Sequence, residues 1–129
     1  MAEVVLDTSA ILADIAGEPG STIVRAAAVG AVASAVNVAE VVTKLVEFGM
    51  DEREAEFLAG RGDYEVSSVD QSQAIFVGRL HSRLRRHGVS LGDSFCLALA
   101  QQTGRPVLTA DRKWKELETV LGIEVSLIR

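Results

Sequence analysis

The chain has 129 residues, 48% of them hydrophobic and 24% charged, with one cysteine and two prolines. These proportions exclude a disordered, collagen-like or disulfide-stapled chain and provide for a single domain over 1–129. The net charge of −5 is unevenly divided: residues 1–70 hold 4 Lys and Arg against 13 Asp and Glu, whereas residues 71–129 hold 9 against 5, so a polyanion can meet the second half and divalent cations the first.

In chain order, residues 1–7 contain neither a basic leader nor an apolar run long enough for a signal peptide or membrane span, so a soluble, untargeted, cytoplasmic protein is expected. Val4, Val5 and Leu6 make the short apolar run of a strand buried on both faces. A helix over 8–16 follows and stops at Gly17 and Pro19. A second helix, over 21–29, ends at Gly30, where glycine can adopt the left-handed cap conformation. Residues 31–34 read as a strand. Val38, Val41, Val42, Leu45 and Val46 then recur with the spacing of an amphipathic helix that ends before Gly49. An acidic helix over 51–59, a strand over 64–67 and a long helix over 70–87 come next, with Asp70 and Gln73 spaced as a capping box. From 93 to 103 the sequence is apolar almost all round, which places this helix in the middle of the domain. It carries Cys96, which has no bridging partner and suits a reducing compartment. A strand over 107–109, a helix over 112–121 and a strand over 123–127 complete the alternation. Such alternation predicts an α/β fold, a parallel sheet of about five strands with helices on both faces, where ligands bind beyond the carboxyl ends of the strands.

That rule draws scattered acids to one rim. Asp7 follows the first strand, Asp111 lies just beyond the 107–109 strand, and Glu40 falls in the first turn of the helix after the second strand. Asp93 opens the buried helix behind Gly92 and faces the same rim if that helix packs with its N-terminus at that end. Each acid also has an ordinary reading. Asp7, Asp93 and Asp111 can cap helices, and Glu40 can complete a capping box with Asn37 or join the polar face of Asn37, Lys44 and Glu47. Independent caps have no reason to converge, however, and four clustered carboxylates repel one another unless a cation sits among them. Oxygen ligation with no paired Cys or His argues for Mg2+ or Mn2+ over zinc. A carboxylate cluster of this kind suits phosphate-ester cleavage through a metal-activated water, with no histidine required. His81 and His87 lie on the long basic helix and read as surface residues.

Four stretches carry a family resemblance: Val5-Leu6-Asp7-Thr8-Ser9-Ala10, Ala35-Val36-Asn37-Val38-Ala39-Glu40, Leu91-Gly92-Asp93-Ser94-Phe95-Cys96, and Val107-Leu108-Thr109-Ala110-Asp111-Arg112-Lys113-Trp114. In order and spacing the chain resembles the PIN-domain ribonucleases, and closely the small VapC toxins of bacterial and archaeal toxin–antitoxin pairs. The resemblance implies a PIN-like α/β/α fold and a magnesium-dependent endoribonuclease with Asp7, Glu40, Asp93 and Asp111 as its acidic constellation. Asp7 and Asp93 would be the surest metal ligands, Asp111 would join them, and Glu40 would orient the attacking water or bind a second ion. Thr8, Ser9 and Thr109 match positions whose hydroxyls brace the acids or touch phosphate, and Asn37 matches a supporting position. The family also implies a homodimer, a cognate antitoxin that blocks the site, and structured or messenger RNA as substrate.

Arg112 and Lys113, beside Asp111, are placed for substrate contact, and Arg79, Arg83, Arg85 and Arg86 with the two histidines make either a phosphate-binding edge or a solvated face. Trp114 is expected to anchor the last helix, with base stacking as the alternative. The valine stripe at 38–46 is mostly core, with part of it available to a dimer or antitoxin surface. Two other classes share features with this pattern. A phosphoacceptor receiver domain would need an acidic pair after the first strand, and Asp7 has no acidic neighbour. A haloacid-type phosphatase would need an Asp at position 9, which is serine. The non-enzymatic alternative is a PIN-like module that binds RNA or protein without cutting.

Overall fold

The structure, a computed structural model, describes residues 3–129; the first two residues of the expected domain lie outside the described residues. Five short strands, β1 (Val5–Leu6), β2 (Val32–Ser34), β3 (Glu65–Ser67), β4 (Val107–Thr109) and β5 (Val125–Leu127), form one all-parallel sheet in the order β3-β2-β1-β4-β5. Among the described residues seven α-helices join them: α1 (Thr8–Ala16), α2 (Ser21–Ala27), α3 (Ala35–Glu47), α4 (Glu52–Gly60), α5 (Gln71–Leu84), α6 (Leu91–Thr103) and α7 (Leu117–Leu121). Within the described residues, no helix is long and apolar enough to cross a membrane.

Side chains alternate along a strand, so the inner strands β1, β2 and β4 supply two cores, whereas β3 at the edge is largely exposed. Val5, Val32, Val107 and Val125 turn toward α5, α6 and α7, where they meet Val77, Leu80, Leu97 and Leu117. Leu6, Ala33 and Leu108 turn toward α1–α4 and meet Ile11, Val24, Val41 and Leu45. The result is the three-layer α/β/α sandwich, PIN-like in its order of elements. Residues Cys96, Leu97, Ala98, Leu99 and Ala100 are all buried, which explains why α6 shows no polar face. Each fully buried leucine contributes on the order of 1.5–3 kcal/mol, so removing Leu97 or Leu80 would weaken the layer that carries α6.

The strand order sets where a ligand can bind. The chain lays β2 and β3 outward on one side of β1, then crosses to β4 on the other side. The order therefore reverses between β1 and β4, and the crevice at their carboxyl ends is the binding position such sheets offer. The Asp7 amide donates to the Leu108 carbonyl (3.1 Å), so Asp7 leaves β1 at the mouth of this crevice.

Several boundaries differ from those the sequence predicts. The 21–29 helix stops at Ala27, with Val29 exposed and Gly30 at φ 88° turning the chain into β2. The 70–87 helix is α only to Leu84; Arg85–His87 tighten into a 3₁₀ turn closed by Gly88 at φ 76°. Asp70 accepts from the Gln73 amide, but Gln73 gives its side-chain amide to Gln102 instead of completing a capping box. The 112–121 helix is a 3₁₀ turn over Arg112–Glu116 before α7, and it holds Trp114 buried, which makes that ring an anchor and removes base stacking.

Candidate active site

Asp7 is the centre of the rim. Its backbone takes the N-cap conformation of α1, yet its side chain caps nothing there. Instead Asp7 Oδ2 accepts from Ser9 Oγ (2.7 Å) and Thr109 Oγ1 (2.8 Å), which ties the end of β1 to the end of β4. Asp7 Oδ1 is buried and has no hydrogen-bond partner among the described residues. Burial raises the Asp7 carboxyl to a pKa of about 6; the two hydroxyls lower it, and the charge of Asp93 raises it further. The capping explanation for Asp7 is thus replaced by a buried acid that ties β1 to β4.

Thr109 links Asp7 to Asp111, since its hydroxyl also accepts from the Asp111 amide (3.0 Å). Asp111 does cap the following turn, where its Oδ1 accepts from the Lys113 amide (3.0 Å). Ser9 Oγ accepts from the Ala110 amide (3.0 Å) and so holds the same segment.

Glu40 is the sixth residue of α3, not part of its first turn, because Ser34 is the N-cap. Its Oε1 accepts from Thr8 Oγ1 (2.8 Å) and Asn37 Nδ2 (2.9 Å), while Asn37 Nδ2 also donates to the Gly92 carbonyl (3.1 Å). Fully buried Asn37 therefore clasps α3 to the start of α6. Gly92 stands against Glu40: a Cβ at position 92 would lie 2.6 Å from Glu40 Cδ, so only glycine leaves the Glu40 carboxylate where it is. Sequence inspection did not identify this contact; glycine in the first turn of a buried helix is the available signal.

Asp93 is not the residue that opens α6. Ser90 is the N-cap and Asp93 the third helical residue, and the two form a reciprocal capping box: Ser90 Oγ accepts from the Asp93 amide (3.1 Å), and Asp93 Oδ2 from the Ser90 amide (3.2 Å). Burial raises the Asp93 carboxyl; its bonds to Ser90 lower it, and the charges of Glu40 and Asp111 add to the rise. Below the rim, burial lifts the Cys96 thiol well above its ordinary range, reinforced by Asp7, Asp93 and Glu40, so this thiol is inert as a nucleophile. His81 is half-buried rather than a free surface residue, with Nδ1 3.0 Å from Ser94 Oγ, while His87 is exposed. Arg112 and Lys113 are exposed next to Asp111.

The four carboxylates share one pattern. Each commits one oxygen to a protein donor, and among the described residues the other has none: Oδ1 of Asp7, Oε2 of Glu40, Oδ1 of Asp93 and Oδ2 of Asp111. Among the described residues no three acids, histidines or cysteines surround a single point as a finished ligand set. The cap bonds of Asp93 and Asp111 hold those side chains toward their own backbones. The donor set is nonetheless all oxygen, as hard divalent cations require, and the orphaned buried Asp7 Oδ1 is the kind of atom a cation would satisfy.

Comparison with known proteins gives a consistent result. The family model described as PIN domain matches residues 4–120. The chain is similar to VapBC-5 from Mycobacterium tuberculosis, described as a member of the VapBC family of toxin–antitoxin systems, at 27% identity and TM-score 0.62 over 100% of this chain and 99% of that one. It is also similar to the DNA-bound VapBC from Salmonella typhimurium (20% identity, TM-score 0.70, 100% of both chains) and to a toxin–antitoxin complex from Klebsiella pneumoniae (17%, 0.69, 98% of both). The last two likenesses are of fold. No curated protein matches the chain in sequence.

Proposed function

The chain belongs to the PIN domain family, and from that premise we propose that it is a metal-dependent endoribonuclease acting as the toxin of a toxin–antitoxin pair. The observation that carries the reading is that Asp7, after β1, and Asp111, after β4, are linked through the Thr109 hydroxyl, and that Asp93 lies near enough to Asp7, Glu40 and Asp111 for their charges to act on one another. Asp7, Asp93 and Asp111 would hold Mg2+ or Mn2+, with Glu40 orienting the attacking water or holding a second ion. When bound, such an ion lowers the pKa of a water and neutralises charge on the phosphoryl oxygens.

The protein's own groups prepare that step. Ser9 and Thr109 hold the Asp7 carboxylate in one orientation through Oδ2, which leaves the buried Oδ1 for a cation. Thr8 and Asn37 fix Glu40 in the same way through Oε1. Arg112 and Lys113 meet substrate phosphate beside Asp111. Likeness to toxin–antitoxin structures supports a cognate antitoxin as partner, and the reading includes a homodimer working in the cytoplasm.

The test is cleavage of single-stranded and looped RNA by the purified chain in Mg2+ or Mn2+, with Asp7→Asn and Asp93→Asn as controls of equal circular dichroism. Cleavage by the wild type alone supports the reading. Equal residual cleavage by all three preparations would mean contamination, and RNA binding without turnover in any metal would favour a non-catalytic module.

A further inference from the structure

Thirteen Lys and Arg residues face eighteen Asp and Glu in this sequence, so acids are in surplus for every cation. Among the described residues, ion pairs occupy Arg25, Lys44, Arg105, Lys115 and Arg129. The other eight, all exposed, belong to none of these pairs: Arg53, Arg61 and Arg79, and two clusters, Arg83 with Arg85 and Arg86, and Arg112 with Lys113.

The pairing of α5 with α6 determines where the first cluster stands. Gln73, near the start of α5, donates to Gln102 near the end of α6 (3.3 Å), and His81, near the end of α5, lies 3.0 Å from Ser94 near the start of α6. The two helices are therefore antiparallel, and the arginine turn that closes α5 lies beside the helix start that carries Asp93. Arg112 and Lys113 directly follow Asp111. Two of the four acids, Asp93 and Asp111, thus each have a basic cluster beside them, and the clusters come from different parts of the chain.

Helix electrostatics accounts for only one of the two. Cations favour a helix C-terminus, as at the end of α5, but Arg112 and Lys113 sit at the start of their turn, where the backbone dipole opposes them. Three arginines within four residues also repel one another. A run of anionic groups passing over the pocket removes both difficulties, and a sugar-phosphate backbone has that character.

We propose that Arg83, Arg85 and Arg86 on the Asp93 side, and Arg112 and Lys113 on the Asp111 side, form a phosphate-binding track that holds single-stranded RNA on both sides of the cut bond; the proposal rests on the nuclease reading above. The track positions the strand without reading its sequence, since phosphate contacts carry no base information.

The experiment is anisotropy of a short fluorescein-labelled single-stranded RNA of mixed sequence, titrated over a range of salt in chelator so that no bond is cut. Three double variants are compared with the wild type: Arg85→Ala with Arg86→Ala, Arg112→Ala with Lys113→Ala, and Arg53→Ala with Arg61→Ala, on α4 and at its C-terminal cap, which supply none of the four site acids. Each of the first two is expected to flatten the slope of log affinity against log salt by about 1.4, roughly 0.7 for each phosphate no longer neutralised, and the α4 pair to leave it unchanged. Unchanged slopes in the first two, or an equal flattening in the α4 pair, overturn the track. Cleavage in Mg2+ is scored separately. Wild-type cleavage with unchanged slopes removes the track alone, whereas flattened slopes without cleavage remove the nuclease reading and leave the track as an RNA-binding surface.

Discussion

Asp7→Asn tests the electrostatic basis of the site. The buried carboxyl titrates at about 6 in the fold against 3.8 in an exposed chain, chiefly through burial. A folded chain that holds its proton more tightly than the unfolded one loses stability as pH rises. Below about pH 4 both states carry the proton and the group has no effect. Between about 4 and 6 only the folded state carries it, and above about 6 the whole penalty applies. At about 1.4 kcal/mol per unit, the interval from 3.8 to about 6 amounts to about 3 kcal/mol. Asparagine carries no charge, and its carbonyl can still accept from Ser9 and Thr109, although its buried amide group costs about 1 kcal/mol or more for want of an acceptor. In urea unfolding followed by circular dichroism in chelator, the variant should gain about 3 kcal/mol on the wild type between about pH 4 and pH 7.5. Mg2+ should then stabilise the wild type, by about 2.7 kcal/mol at a hundredfold excess over its Kd, and leave the variant unmoved. Parallel pH curves for the two chains would refute the reasoning, because no buried charge would then be waiting for a counterion.

Two further substitutions probe the supports of that charge. Thr109→Val keeps the shape but deletes a hydroxyl that donates to Asp7 and accepts from the Asp111 amide; it should cost about 2 kcal/mol in urea unfolding and push the Asp7 carboxyl further up, so that Mg2+ binding measured by calorimetry weakens at neutral pH. Gly92→Ala should drive the Glu40 carboxylate off its bonds to Thr8 and Asn37, lowering RNA cleavage at least tenfold, while the roughly 1 kcal/mol gained in helix propensity offsets part of the packing strain in a thermal melt.

The fold was legible where a single periodic signal decided the structure. The valine and leucine spacing at 38–46 places α3, and the unbroken apolar run at 95–100 places α6 between other elements. Helix ends were less legible. The apolar run behind Gly92 reads as a helix that Asp93 opens, whereas Ser90 and Asp93 pair across the first turn and carry the helix back past the glycine. The exposed part of the valine stripe, Val46, and the half-buried His81 depend on which helix packs alongside, and local sequence does not encode that. The same holds for the site. Asp7 and Asp111 could be placed on one rim from strand order alone, but the Thr109 hydroxyl between them and the Asn37 clasp between α3 and α6 are contacts across 102 and 55 residues of chain.

The hydrogen bond from the Asp7 amide to the Leu108 carbonyl has a consequence for how this site can vary. Neighbouring parallel strands lie about 4.8 Å apart, a spacing fixed by the peptide backbone and indifferent to side chains. The separation of the strand ends that lead to Asp7 and Asp111 is therefore gauged by main-chain atoms. Substitutions in the surrounding loops can reshape what reaches the acids, but the width of the opening changes only when β1 and β4 part. Partial separation of those two strands would disable the chemistry while most of the domain stayed folded.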